Sequence, residues 1–172
     1  MRQRETAFVD SGAWIALAVS GDPLHEQARE RWQRLKDHGA RLYTSVPIVL
    51  ETFTFLERNA RRDVAIAWKD SIYAEAAIKI LPCELRDLEQ AWGYFRRPDL
   101  HKLSAVDATS FAIMTRARIR LAFAFDHHFA AVGFRLALQS EAPDWRFAPQ
   151  PTSQRGRTYH RPRIVRCLLH LL

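Results

Sequence analysis

With 172 residues, 48% of them hydrophobic, the chain is long enough to bury a core in one domain of ordinary size without disulfide or metal staples. Lys and Arg number 26 against 19 Asp and Glu, a surplus of 7 that points to a polyanionic partner and is silent about fold. Two distant cysteines, Cys83 and Cys167, exclude a disulfide scaffold and a paired-cysteine zinc site, and the absence of a signal-peptide core or a membrane-length apolar run predicts a soluble, cytoplasmic protein with no membrane partner.

Residues 6 to 9 predict a strand that stops on Asp10, with turn and helix-start residues Ser11 and Gly12 behind it. Leu24, Ala28, Trp32 and Leu35 then step by four, four and three along one helical face. Residues 42 to 45 predict a second strand, and Ser45 as N-cap with Pro47 in the first turn predicts a helix from about residue 46 to 60. A third strand follows at residues 78 to 81, and Leu85, Leu88, Trp92 and Phe95 draw another apolar helical stripe. The stretch "LSAVDATSF" opens a further helix, and residues 121 to 125 and 134 to 138 predict the last two strands. Short apolar strands alternating with helices predict right-handed crossovers and a mostly parallel sheet of about five strands between helical layers, an α/β/α sandwich.

From Glu141 onward the chain carries four prolines, six basic and two acidic residues, and no clear helical period. Residues 1 to 140 hold 20 basic and 17 acidic side chains, so more than half of the charge surplus lies in the tail. A boundary near residue 140 is expected, separating a domain of residues 1–140 from a poorly ordered basic tail of residues 141–172.

The topology brings four acids together. In a parallel sheet the functional crevice lies beyond the carboxyl ends of the strands. Asp10 ends the first strand and Asp126, in "LAFAFDHHF", ends the fourth. Glu51, about a turn and a half into its helix, and Asp107, in the first turn of another, can point to the same edge. Each acid also has a purely local reading: Asp10 and Asp126 as N-caps, and Ser104 with Asp107 as a capping-box variant. Glu51 is harder to reduce to a cap, because it shares a face with Ile48, Thr52 and Phe55, where an unpaired carboxylate is costly to bury. Clustered carboxylates repel one another unless a cation neutralises them. Oxygen ligands without a nearby cysteine favour Mg²⁺ or Mn²⁺, which can polarise a phosphoryl oxygen and lower the pKa of a bound water, the chemistry of phosphodiester hydrolysis.

The motifs "FVDSGAW", "SVPIVLETFTFL", "LSAVDATSFAIM" and "AFAFDHHFAAVGF", in this order over roughly residues 6 to 138, resemble the PIN-domain family, and in particular the VapC-type toxins of bacterial toxin–antitoxin pairs. The resemblance implies a PIN-like sandwich, a metal-dependent endoribonuclease acting on structured RNA, a homodimer, and a cognate VapB-type antitoxin. It implies metal-binding and catalytic roles for Asp10, Glu51, Asp107 and Asp126, with hydroxyls of Ser11 and Thr44 or Ser45 near water or substrate. His127 and His128 read as rim residues rather than ligands, and the tail lies outside the family pattern. Four tryptophans, Trp14, Trp32, Trp68 and Trp92, with ten phenylalanines add apolar surface that suggests a dimer. The rival from another class is a PIN-like RNA- or partner-binding module without catalysis. A haloacid-dehalogenase-like phosphatase needs a second aspartate two positions after the first, where Gly12 stands, and a phospho-receiver domain needs adjacent acids at its first strand.

Overall fold

Thr6–Val9 forms β1, and its last three residues are completely buried, as expected of a central strand with both faces covered. The computed structural model describes residues 5 to 137; the expected boundary near residue 140 and the tail lie outside the described residues. Helix α1 (Ser11–Ala18) follows at once, then α2 (His25–Asp37), β2 (Arg41–Ser45), α3 (Val46–Asn59), α4 (Arg62–Ala74), β3 (Ile78–Leu81), α5 (Leu85–Tyr94), α6 (Ala105–Arg116), β4 (Leu121–Phe123), α7 (His128–Ala131) and β5 (Arg135–Leu136). The sheet order is β3-β2-β1-β4-β5, and every pairing is parallel.

Both late strands are shorter than the apolar runs that announce them. β4 stops at Phe123 because its partner β1 ends there: the Asp10 N–H donates to the Phe123 carbonyl at 3.0 Å, and the chain then turns into α1. Beyond that rung Ala124 and Phe125 have no strand to pair with. β5 keeps only the rungs opposite Leu121 and Ala122.

Trp14, Trp32 and Trp68 are core residues packed tilted and edge-on, with ring centroids 5.2 Å (Trp14–Trp32) and 6.0 Å (Trp14–Trp68) apart. Three of the four tryptophans that suggested a dimer are therefore consumed inside one subunit. Trp92 alone is outward, 56% exposed, on a helix whose sequence stripe also misleads: Leu85 and Phe95 face solvent, while α5 buries Asp87 and Ala91. The reason is Arg116. Its guanidinium donates to both oxygens of Asp87, at 2.8 and 2.9 Å, and this ion pair turns the Asp87 face of α5 inward against α6.

Candidate active site

The four acids reach the carboxyl edge by local rules, and two of those rules are the expected caps at Asp10 and Ser104, whereas α7 takes His127 as its N-cap and Asp126 stands one residue before it. Asp10 caps α1, its Oδ2 accepting from the Gly12 N–H at 3.1 Å. Ser104 caps α6: its hydroxyl accepts from the Asp107 N–H at 2.9 Å and donates to Asp107 Oδ2 at 2.8 Å. Asp126 Oδ1 accepts from the His128 N–H at 2.8 Å. Capping orients a carboxylate without using all its oxygens, so a capping residue remains able to bind a ligand. Asp10 shows this directly, because Oδ1 is buried and has no hydrogen-bond partner among the described residues.

Glu51 arrives differently. α3 begins where β2 ends and packs against both α1 and α6, which carries a half-buried Glu51 to the same edge as Asp10 and Asp107. Its neighbours Ile48 and Thr52 are fully buried.

The acids couple electrostatically. Burial, then the charges of Asp107 and Glu51, push the Asp10 carboxyl up to about 8 against the backbone N–H groups of Gly12 and Ser11, which lower it. Burial raises Asp107 to about 6, with Asp126 and Glu51 adding to the rise and the Ser104 hydroxyl opposing it. Each acid thus feels at least one other. Among the described residues no lysine or arginine forms a salt bridge with any of the four. An uncompensated set of carboxylates with an orphaned buried oxygen fits a hard divalent cation.

Two histidines also attend the site. His127 and His128 offer nitrogens that, with an Asp126 oxygen, lie within 4.8 Å of one another. His127 is exposed and His128 buried. His128 Nε2 donates to the His101 carbonyl at 2.9 Å, because a carbonyl can only accept, and Nδ1, 2.8 Å from Asp126 Oδ1, makes no hydrogen bond to it. His128 is therefore more than a rim residue: its backbone N–H holds Asp126 while its ring holds the loop before α6 through the His101 carbonyl. The triplet "DHH" was visible in the sequence, but the His101 carbonyl that fixes the ring was not.

The three hydroxyl candidates separate. Thr44 Oγ1 donates to the Val9 carbonyl at 3.0 Å and accepts from the Trp14 indole N–H at 3.3 Å, so it fastens β2 to β1 and α1 inside the core. Ser45 is fully buried at the start of α3, and its hydroxyl makes no capping bond and has no partner among the described residues. Ser11 is buried beside Asp10, which its backbone N–H stabilises.

Beside Glu51, Val46, Pro47, Leu50 and Val106 line an open apolar concavity of about 590 Å³, with Arg58 at its border.

Comparison with known proteins agrees with this geometry. Residues 7–135 match the PIN domain family. The chain is 35% identical over 127 residues to the 23S rRNA-specific endonuclease VapC20 of Mycobacterium tuberculosis, in strain CDC 1551 / Oshkosh and in strain H37Rv, covering 74% of this chain and 94% of each relative. A crystal structure of VapC20, described as a sarcin-ricin loop cleaving toxin, superposes with a TM-score of 0.65 at 35% identity, covering 74% of this chain and 95% of that one. The order β3-β2-β1-β4-β5, the four coupled acids at its carboxyl edge and this likeness place the chain in the PIN-domain family, among the VapC-type ribonuclease toxins.

Proposed function

We propose that the chain is a Mg²⁺- or Mn²⁺-dependent endoribonuclease whose catalytic set is Asp10, Glu51, Asp107 and Asp126. The observation that carries this reading is the pairing of an elevated Asp10 with a buried, partnerless Oδ1 at the edge where the other acids gather. These residues would hold the ion directly or through water. When bound, the ion supplies positive charge that polarises the scissile phosphate and lowers the pKa of a water.

The chain's own part is positioning. Ser104 fixes Asp107, the His128 backbone N–H fixes Asp126, and the α1 cap fixes Asp10, so the acids need little rearrangement as charge develops. Ser11, next to Asp10, is the hydroxyl we assign to water or substrate, with Ser45, buried at the start of α3, as the second candidate. Water adds to phosphorus and the P–O3′ bond breaks, the 3′ oxygen taking up a proton. The products therefore carry a 5′-phosphate and a 3′-hydroxyl.

The substrate is structured RNA, a reading supported by relatives that act on 23S rRNA. The partner is a VapB-type antitoxin. The apolar concavity beside Glu51, with Leu50 63% exposed, suits an amphipathic segment whose arginine reaches the acids and pairs with two of them. Exposed Leu85, Trp92 and Phe95 on one side of α5 favour a homodimer, which sedimentation at micromolar concentration should register. Among the described residues no helix is long and apolar enough to cross a membrane, in keeping with an RNA target in the cytoplasm.

The test is cleavage of 23S rRNA by the full chain with Mg²⁺ or Mn²⁺, with and without chelator, followed by end-group analysis. Ion-dependent cleavage leaving 5′-phosphates is expected. A cyclic phosphate, full activity under chelation, or binding without cleavage would contradict the reading.

A further inference from the structure

The opposite edge of the sheet is built in the reverse sense. Arg41 opens β2, Arg120 immediately precedes β4, and Arg135 opens β5; the order β2-β1-β4-β5 sets them side by side. Backbone bonds hold that placement: the Arg41 N–H donates to the Glu5 carbonyl at 2.8 Å and the Arg135 N–H to the Arg120 carbonyl at 2.9 Å. Arg118 joins them from the turn after α6. These four arginines, with Tyr43 and Glu5, line a cavity of about 520 Å³. A second cavity of about 520 Å³ shares Arg41 and Tyr43 and adds Lys36, Lys79 and Glu75.

The charge is concentrated here. Six cations face two acids across the two cavities, an excess of four, while residues 1 to 140 as a whole have an excess of three. Elsewhere on the surface arginines such as Arg61, Arg62 and Arg97 pair with a neighbouring carboxylate. Of the four arginines at this edge only Arg135 has such a partner among the described residues, Glu5 at 3.2 Å.

Arg118 adds an independent sign. It has φ +57° at the end of α6, the left-handed position that glycine fills at least cost. Arg118 occupies that position and lines the cavity wall.

We infer that the amino edge of the sheet, centred on Arg41, Arg118 and Arg120, is a second RNA-binding surface that takes phosphodiester groups away from the scissile bond. Guanidinium groups match phosphate oxygens in a two-pronged way, and the half-buried Tyr43 between the cavities offers a ring for a base to stack on. The two edges are separated by β1, four residues or about 13 Å, so only an RNA folded around the domain reaches both. This inference rests on the ribonuclease reading, and its test is kept separate from cleavage.

Binding of a fluorescent 24-base-pair RNA hairpin is measured by anisotropy over a salt series, using the full chain with Asp10→Asn so that the probe stays intact. Adding Arg41→Gln, Arg118→Gly and Arg120→Gln should weaken binding at least tenfold at moderate salt. It should also make the slope of log affinity against log salt shallower by about two to three, the loss of three phosphate contacts. Arg118→Gly alone should keep or raise the melting temperature, which separates lost contacts from lost fold. Arg29→Gln, Arg61→Gln and Lys69→Gln together remove the same charge elsewhere and should change the slope much less. Equal slopes for parent and edge variant, or an equal loss in the control variant, would overturn the inference while leaving cleavage untouched. Unchanged RNA binding with lost binding of poly-glutamate would overturn it in favour of an acidic protein partner. A parent chain that binds no RNA would overturn both this inference and the reading beneath it.

Discussion

Asp10 and Asp87 are both buried aspartates at helix starts, 4% and 1% exposed, and the fold treats them in opposite ways. Burial alone raises both. At Asp87 the Arg116 guanidinium and the capping bond from the Glu84 N–H outweigh it, and the carboxyl is held below its ordinary value. At Asp10 two further carboxylates add to burial, and the carboxyl rises to about 8. A buried carboxylate given a counter-charge stays ionised; one left without a cation is held protonated until one arrives.

The largest break in this comparison comes from neutralising the waiting charge. Asp10→Asn keeps the shape and the cap, so the chain should fold, yet cleavage of RNA should fall by at least about 10²–10³-fold, the scale for loss of one preorganised charge-stabilising group. A steady-state cleavage assay checks this, and near-parental activity would remove Asp10 from the site. The same result is expected for Asp107→Asn.

The next effect is on stability against pH in chelator. Asp10 rises from 3.8 to about 8 on folding, so the folded chain holds a proton that the unfolded chain releases. Stability of the ion-free chain should therefore fall as pH rises from about 4 to 8, by several kcal/mol. Asp107, raised to about 6, adds to the lower half of that range. Asp87 has the reverse sign: its stabilisation is present above its ordinary value and is lost in acid, as pH falls through its lowered value. Urea titrations at pH 5 and pH 8 should find Asp10→Asn with a much smaller difference than the parent.

Smaller again is the loss from stranding the structural acid. Arg116→Ala leaves Asp87 buried without its cation and should cost about 3 kcal/mol of stability in a denaturant titration, with cleavage per folded molecule unchanged. The smallest effect expected is that of Thr44→Val. Losing its two interior hydrogen bonds should cost about 1–2 kcal/mol while kcat stays near that of the parent; a large fall in kcat would return Thr44 to the site.

Much of this was legible in the chain itself. Strands at 6 to 9 and 78 to 81 stand where the apolar runs put them, and α3 starts at the residue after Ser45. The convergence of four acids followed from strand ends and helix starts alone. What escaped had physical causes. Both faces of α1 are buried, so it carries no amphipathic period, whereas α4 did show one in Val64, Ala65, Trp68 and Ile72 and went unread. The α5 stripe identified a helix and misplaced its buried face, because an ion pair rather than apolar burial orients it. Arg41, Arg118, Arg120 and Arg135 belong to no motif and meet only through strand order. His128 looked peripheral because its ring's partner is a backbone carbonyl 27 residues away.

The central claim, that the carboxyl edge waits for a cation, is tested most directly by calorimetric titration of Mn²⁺ into the ion-free chain at pH 7 in two buffers of different ionisation enthalpy. Because Asp10 is mostly protonated at that pH, binding should release about one proton, and Asp10→Asn should lose both the proton release and most of the affinity. Binding of equal strength to Asp10→Asn, or binding to the parent without proton release, would contradict the account.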